Sequence, residues 1–238
     1  MTAAGPLLAF DTATTVAVAA VGAPDGRLLA DLAWTAGYRH GEELLARIDA
    51  LLAEAGVELA GLGGIVVGTG PGAFTGLRVG LATAKGLAHA LRVPIVGVPT
   101  WSALLAAAAI VAPSGAPFAL ALPAGPSDRL FIEAGGRTAI LPALAAGAGP
   151  DDAADALTAA AVGRALVAVD LAGRAPRTAV ARGERARTGL ATALLALGVA
   201  ELTAGRSSDL AELVPDYVTL PRGVERETGA VGWSRDPA

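Results

Sequence analysis

Cysteine is absent from the 238-residue sequence, and histidine and lysine are almost absent. The lack of cysteine excludes a disulfide framework, a thiol nucleophile and a cysteine-ligated metal. The two histidines, His40 and His89, have no second histidine or carboxylate at the spacing that brings two metal ligands onto one helix face. Lys85 is the one lysine among 18 basic residues. We therefore expect no metal site.

Long apolar segments and charge of one sign are also missing. The longest apolar run, residues 103–112, is far shorter than the roughly 20 residues of a membrane-spanning helix. The amino terminus has no cationic region before its apolar run and soon reaches Asp11, unlike a secretory signal. With 18 basic and 22 acidic residues, the formal charge of −4 argues against a surface that binds nucleic acid or membrane wholesale. We expect a cytoplasmic protein without membrane contact.

The most informative stretch that is present, residues 68–88, joins a glycine-rich loop to a helix. The β-branched run at residues 65–67 predicts a buried strand before the loop, and Thr75 is a candidate N-cap for the helix. Small residues four apart, Gly76, Gly80, Ala84 and Ala88, leave one helix face nearly without side chains. That face is predicted to receive a neighbouring helix.

Basic and polar residues at the same helix predict an anion site, because free N–H groups and the helix dipole favour negative charge there. Its candidate residues are Thr75, Gly76, Arg78 and Lys85. A helix cap and a surface arginine are the alternative. No acidic residue occurs between Glu58 and Asp128, so this helix is cationic, whereas the helix predicted from about residue 42 to residue 55 is mostly acidic.

Two nucleotide-binding motifs fit the glycine-rich loop only in part. Gly68, Gly70 and Ala73 have the spacing of a dinucleotide-binding loop, but the carboxylate expected about 20 residues later is missing. Lys85 lies a full helix away from the glycines, so the loop is not a Walker sequence either.

Apolar periodicity predicts an α/β fold. Through residue 112 the order is three strands, helix, strand, helix, strand, helix, typical of an antiparallel meander followed by parallel crossover units in a mixed sheet. Beyond a hinge at residues 113–117, strands are predicted at 118–122, 130–134 and 165–169. Helices are predicted from residue 151 or 152, at 188–197 with Gly198 closing it, and at 209–213.

Several of these motifs together resemble the TsaB (YeaZ) family of bacterial tRNA threonylcarbamoyladenosine synthesis. They are Asp11-Thr12, His40-Gly41-Glu42-Glu43-Leu44-Leu45, Gly70-Pro71-Gly72-Ala73-Phe74-Thr75-Gly76-Leu77-Arg78, Ala84-Lys85-Gly86-Leu87, Pro94-Ile95-Val96-Gly97-Val98 and Leu213-Val214-Pro215-Asp216-Tyr217. The resemblance is specific from the amino terminus through about residue 110, and fewer motifs match beyond it. Where the family often has Asp-Ala-Arg, this chain has Leu122-Pro123-Ala124-Gly125.

The resemblance implies a two-lobed fold of the actin, Hsp70 and sugar-kinase class, with mixed sheets flanked by helices. The first lobe is expected at residues 1–112, rejoined by 205–222, and a smaller second lobe at 113–204, with a flexible tail at 223–238. The resemblance also implies a non-catalytic subunit. In the family, TsaD holds the metal and transfers the threonylcarbamoyl group to adenosine, while TsaB pairs with it and the ATPase TsaE docks on the pair.

The same resemblance implies no cofactor on this chain, with ATP and metal in the partner subunits, tRNA contact only through the complex, and a homodimer when the chain is alone. The expected partner interface combines the two oppositely charged helices. Its residues are His40, Leu44, Leu45, Ile48, Leu52, Gly76, Arg78, Gly80, Thr83, Ala84 and Leu87.

Two other functions are known for proteins of this fold class. A sugar-kinase-like phosphotransferase would use Asp11 as a metal or base ligand, but it needs a second glycine-rich phosphate loop after the hinge, and the sequence has none. A metallopeptidase of the same superfamily needs the paired histidines that are missing.

Overall fold

The computed structural model describes residues 5–35, 40–113, 115–124, 128–141 and 156–218. Its first half follows the predicted element order. The elements are β1 (Leu7–Asp11), β2 (Val16–Gly22), β3 (Leu28–Thr35), α1 (His40–Glu54), β4 (Gly64–Gly68), α2 (Phe74–Leu91), β5 (Ile95–Val98) and α3 (Thr100–Val111). The second half contains β6 (Phe118–Pro123), β7 (Arg129–Glu133), β8 (Thr138–Leu141), β9 (Ala165–Ala168), α4 (Arg177–Thr188) and α5 (Leu190–Thr203).

The first sheet has the strand order β3-β2-β1-β4-β5. Strand β1 is antiparallel to β2 and parallel to β4, so the meander and the crossover units meet at β1. Both faces of the sheet are covered, which explains why β1 and β4 are buried along their whole length. Helices α1 and α2 cover one face through Leu44, Ile48 and Leu81. Helices α3 and α5 lie on the other face.

The second sheet has the order β8-β7-β6-β9, with β6 parallel to β9. Helix α4 crosses β9 closely, because a Cβ on Gly183 would overlap the carbonyl group of Ala168. Arg182 Nη1 donates a hydrogen bond of 3.0 Å to the Leu166 carbonyl. The core between the two sheets is shared, since side chains of both sheets pack there with α3 and α5. The predicted mixed α/β architecture of two sheets flanked by helices is thus confirmed.

Helix α5 departs from the sequence prediction. Gly198 lies inside the helix and does not end it. A side chain at this position would overlap the methyl groups of Val66 in β4, which explains why the residue is glycine. Gly22 in β2 faces Leu195 in the same close way. The glycine therefore serves helix-to-sheet approach. Helix α5 packs on the first sheet, and the segment after it also contacts that sheet, where the Ser208 N–H donates to the Ile95 carbonyl at 2.8 Å.

Other predictions differ in the second half. Strand β8 and helix α4 were not predicted, and residues 209–213 form a turn rather than a helix, with the Leu213 N–H donating to the Asp209 carbonyl. The Asp209 carboxylate accepts from the Ala211 N–H and so stabilises that turn. The helix predicted from residue 151 or 152 starts outside the described residues, as does the tail at 223–238. No helix within the described ranges is long and apolar enough to cross a membrane.

Candidate functional site

Asp11 is the buried carboxylate at the carboxyl end of β1. Asp11 is only 1% exposed, and both of its carboxylate oxygens accept hydrogen bonds. The Ala13 N–H donates to Oδ1 at 2.6 Å, and the Thr100 hydroxyl donates to Oδ2 at 2.6 Å. Burial raises the pKa of Asp11 above its ordinary value, and the hydrogen bonds from Thr100 and Ala13 oppose that rise.

The glycine-rich loop after β4 closes over Asp11. A Cβ on Gly68 would overlap the Asp11 carboxylate, and a Cβ on Gly72 would overlap the Ala13 carbonyl. The Ala73 N–H donates to that carbonyl at 2.7 Å. The glycines thus allow two stretches of backbone to pack on each other, and they do not open a cradle for a ligand. Asp11 therefore lies beneath the loop, with only 1% of its surface exposed.

Thr100 at the start of α3 connects this loop to Asp11, and sequence reasoning did not find its role. Its hydroxyl accepts from the Gly70 N–H at 2.9 Å while donating to Asp11, and its own N–H donates to the Gly70 carbonyl at 2.7 Å. The only sequence signal was a threonine at the beginning of a predicted helix, which is common. The contact joins residues far apart in sequence, so spacing alone could not reveal it.

The small-residue face of α2 is covered by this chain itself. The Thr12 hydroxyl donates to the Gly76 carbonyl at 2.7 Å and occupies the space that a Cβ on Gly80 would fill. Ala84 is fully buried. The expectation that this face was left for a neighbouring helix of a partner is therefore wrong, because the end of β1 and the core between α2 and the sheet already fill it.

The predicted interface residues fall into two groups. Six are buried inside this chain and cannot present side chains to a partner in this conformation: Leu44, Ile48, Leu52, Gly76, Gly80 and Ala84. Leu45 is 55% exposed, Arg78 is exposed, and Thr83 and Leu87 are half-buried, so these four remain available. His40 begins α1, and its side chain lies outside the described residues.

The predicted anion site is not assembled. Ala73, not Thr75, is the N-cap residue of α2, and no side chain makes a cap hydrogen bond there. Thr75 and Arg78 are exposed, while Gly76 is buried on another face. Lys85 follows Arg78 by two helical turns, about 10 Å along the axis. The four residues therefore do not converge on one point.

Arg78 instead belongs to an aromatic cluster with Phe74 and Tyr217. The guanidinium carbon lies 3.8 Å from the centre of the Phe74 ring, and Nε donates to the Tyr217 hydroxyl at 3.1 Å. The two rings are 5.3 Å apart, centre to centre, at an interplanar angle of 31°. The cluster joins two motifs that are far apart in sequence, the glycine-rich stretch and Leu213-Val214-Pro215-Asp216-Tyr217.

A second polar network connects the two sheets at the β1–β2 turn. The Thr15 N–H and hydroxyl both donate to the Asp170 carboxylate, at 2.7 and 2.6 Å. Arg187 Nη1 donates to Asp170 Oδ1 at 2.8 Å and to the Thr15 hydroxyl at 3.2 Å. A cavity of about 190 Å³ beside the network is also lined by Glu184. Sequence reasoning did not single out any of these residues.

The described residues include few groups that could ligate a metal together. No three histidine, aspartate or glutamate side chains come together there as potential ligands of one ion.

Two α/β lobes that share a core, with the meander and crossover units repeated around β1 and β6, define a protein of the actin, Hsp70 and sugar-kinase class. The profile of the family described as "TsaD: tRNA N6-adenosine threonylcarbamoyltransferase" matches residues 35–219. The chain therefore belongs to this family, and within it to the TsaB (YeaZ) proteins. The resemblance deduced from the motifs is confirmed.

Individual relatives agree with that assignment. TsaB of Escherichia coli, a tRNA threonylcarbamoyladenosine biosynthesis protein, is 34% identical over 94 residues, which are 40% of this chain and 40% of the relative. A tRNA N6-adenosine threonylcarbamoyltransferase of Geobacter is 40% identical over 103 residues, 43% of this chain and 30% of the enzyme. YeaZ of Pseudomonas aeruginosa superimposes with a TM-score of 0.63 at 26% identity, covering 90% of this chain and 99% of YeaZ.

Sequence similarity is concentrated in part of each curated relative. The chain spans 28% of the length of an uncharacterised Mycobacterium leprae protein at 42% identity, and 47% of one from Mycobacterium tuberculosis at 40% identity.

Proposed function

We propose that this chain is a subunit of the complex that makes N6-threonylcarbamoyladenosine in tRNA, and that it pairs there with TsaD. Membership of the TsaD family and similarity to proteins named TsaB and YeaZ support this function. The subunit is non-catalytic, and TsaD performs the transfer to adenosine. TsaE docks on the pair, and tRNA is bound through the complex.

The burial of Asp11 is the observation that carries the non-catalytic role. An aspartate at the end of the first strand would have to face a metal or a substrate to act as a ligand or base. Here it is 1% exposed and engaged through both oxygens by the Ala13 N–H and the Thr100 hydroxyl. Turning it toward a ligand would break both bonds and displace the loop at Gly68.

The residues between the lobes do not fit a nucleotide phosphate. The polar donors of Thr15 and Arg187 are aimed at the Asp170 carboxylate, and Glu184 adds a second carboxyl group to the same cavity. A phosphate would therefore replace an internal anion and face another acidic residue. The cavity of about 190 Å³ is also smaller than the roughly 300 Å³ at the lower end of ligand pockets. ATP and metal are accordingly assigned to the partner subunits.

The partner surface proposed for this chain lies on the exposed sides of α1 and α2. Leu45 supplies an exposed apolar side chain on α1, and Thr83 and Leu87, four residues apart, lie on one side of α2. Arg78 is exposed near the start of the same helix. Helix α2 contains basic residues and no acidic ones, so its surface complements an acidic partner. In the absence of TsaD the same surface would be covered by a second copy of this chain.

Co-expression with TsaD from the same organism, followed by size exclusion with light scattering, tests the pairing. We expect a one-to-one complex, and a dimer of this chain when TsaD is omitted. ATP turnover by the isolated chain should not exceed a buffer blank. Separate elution of the two proteins would overturn the pairing. Robust ATP hydrolysis that Asp11→Ala abolishes would overturn the non-catalytic role and favour a phosphotransferase.

A further inference from the structure

The cluster of Phe74, Arg78 and Tyr217, here called the Arg78 platform, has features that a structural role does not require. Arg78 is exposed and Phe74 is 41% exposed, so the platform lies on the surface. Tyr217 reaches it from 139 residues away in sequence. Its aromatic rings and guanidinium hold a defined geometry there.

The segment that delivers Tyr217 is fixed to the first sheet by its backbone. The Asp216 N–H donates to the Thr69 carbonyl at 2.7 Å, and the Ser208 N–H donates to the Ile95 carbonyl at 2.8 Å. Leu213 fills the space beside Gly97, where a Cβ would overlap it. Tyr217 is therefore placed by the sheet and not by Arg78.

The charge of Arg78 is not neutralised within the described part of the chain. Its Nε–H donates to Tyr217 and its face lies on Phe74, and no acidic side chain in those ranges pairs with it. A guanidinium has five N–H donors in a planar fork that matches a carboxylate. The outer edge of Arg78 thus remains able to bind an anion in two-point fashion.

We propose that Tyr217 and Phe74 are positioning residues that preset Arg78 to bind a carboxylate of the partner subunit. This inference rests on the proposed pairing with TsaD. An arginine free in solution samples many rotamers, and fixing it before association removes part of the entropy that binding would otherwise cost. The Phe74 face and the Tyr217 hydroxyl fix it from two directions, as a preset contact requires.

A protein carboxylate fits the platform better than an RNA phosphate. Binding along RNA draws on several cations that neutralise successive phosphates, whereas the platform holds a single guanidinium beside two aromatic rings. The chain as a whole carries a formal charge of −4. Burial of an aromatic ring and an arginine together is typical of protein interfaces.

The test measures the dissociation constant of the TsaD complex by calorimetry for the wild type, Tyr217→Phe, Arg78→Gln and the double variant. Arg78→Gln should loosen the complex by about 10- to 100-fold, because a charged hydrogen-bonding partner is lost. Tyr217→Phe keeps the ring and removes the hydroxyl, and should loosen it by about 3- to 10-fold. In the Arg78→Gln background, Tyr217→Phe should have almost no further effect. Arg206→Gln, an arginine remote from the platform, serves as the matched control and should leave the constant unchanged.

Three results would overturn the proposal while leaving the pairing intact. In the first, Tyr217→Phe loosens the complex equally in the wild type and in the Arg78→Gln background. In the second, Arg78→Gln loosens the complex but Tyr217→Phe does not. In the third, Arg78→Gln leaves pairing with TsaD unchanged and weakens the binding of tRNA by the complex. The last would assign Arg78 to RNA phosphate. If the wild-type chain does not bind TsaD, the proposed function fails, and this inference fails with it. Thermal melting of each variant, with no shift expected for Tyr217→Phe, separates these results from misfolding.

Discussion

The Thr12 hydroxyl stands where a side chain on Gly80 would be, and from there it donates to the Gly76 carbonyl at 2.7 Å. One hydroxyl thus connects the end of β1 to the first turns of α2. This close approach of Thr12 explains why position 80 has no side chain. It follows that mutations on this face act on folding first.

Gly80→Ala should destabilise the isolated chain by about 1–3 kcal/mol, because the added methyl overlaps the Thr12 hydroxyl. A chain of this size loses about 2–4 °C in melting temperature for each kcal/mol, so calorimetry resolves the change. Gly86→Ala is the matched control on the same helix, since nothing lies within 4 Å of its Cβ position. It should be stabilising by about 0.5–1 kcal/mol. Equal melting temperatures for the two variants would contradict this account.

Leu44 and Leu45 are neighbours in α1 with opposite environments, 1% and 55% exposed. Leu44→Ala should lower stability by about 2–5 kcal/mol, since it leaves a cavity in the core under α1. Leu45→Ser should leave the melting temperature nearly unchanged and weaken assembly with TsaD or with a second copy. Urea unfolding and light scattering measure the two effects separately. Normal assembly of the Leu45→Ser variant would remove α1 from the proposed interface.

The raised pKa of Asp11 makes a signed prediction about pH. Because the folded state holds the proton at pH values where the unfolded state has released it, the wild type loses stability as pH rises through this window. The window begins at the ordinary carboxyl pKa and ends at the raised value in the folded state. Asp11→Asn cannot titrate, so its stability relative to wild type should improve as pH rises. Urea unfolding of both proteins across a pH series measures this difference in the free energy of unfolding. A difference that does not change with pH would show that burial does not raise the pKa of Asp11.

Asp170 and Arg187 should show energetic coupling across the junction of the two sheets. Their side chains are 10% and 21% exposed, and the ion pair is reinforced by the Thr15 hydroxyl. A double-mutant cycle with Asp170→Asn and Arg187→Gln should give a coupling energy of about 0.5–2 kcal/mol. This energy is smaller than that of a fully buried ion pair, because solvent screens the partly exposed charges. The more exposed pair of Arg206 and Glu201 is the control and should couple less. Zero coupling between Asp170 and Arg187 would mean that the network does not hold the junction.

The sequence predicted the first half of the fold because its signals are local there. Short β-branched runs such as residues 65–67, the apolar stripe of α1 and the glycine at position 56, which has a φ of +66°, fix element type and order without knowledge of the rest. The resemblance to TsaB proteins rests on the same region. The motifs that carry it lie mainly around β1, β4 and α2, and the family profile and the similarity to TsaB and YeaZ proteins confirm the assignment.

What the sequence could not predict depends on contacts between distant residues. In the sequence, Gly198 indicates the end of a helix and Gly80 indicates an open helix face. In the structure, Val66 packs against Gly198 and the Thr12 hydroxyl packs against Gly80. Helix α4 carries four arginines, and the residues that it buries are small, Ala179, Gly183 and Ala186, so it lacks the large apolar side chains that mark a core-facing helix in a sequence. The hydrogen bonds of Thr15 to Asp170 and Arg187, and of Arg78 to Tyr217, join residues that are more than 130 positions apart in the sequence. Only the bond between Asp170 and Arg187 in the same network is closer, at 17 positions.

The central claim, a non-catalytic subunit of the threonylcarbamoyladenosine complex, is tested most directly by the N6-threonylcarbamoyladenosine content of bulk tRNA. Mass spectrometry would measure it in cells depleted of this protein and complemented with the wild type or with Asp11→Asn. The account predicts that depletion lowers the modification, and that both proteins restore it when they accumulate to equal levels in folded form. Unchanged modification on depletion, or restoration by the wild type alone at equal folded levels, would contradict it.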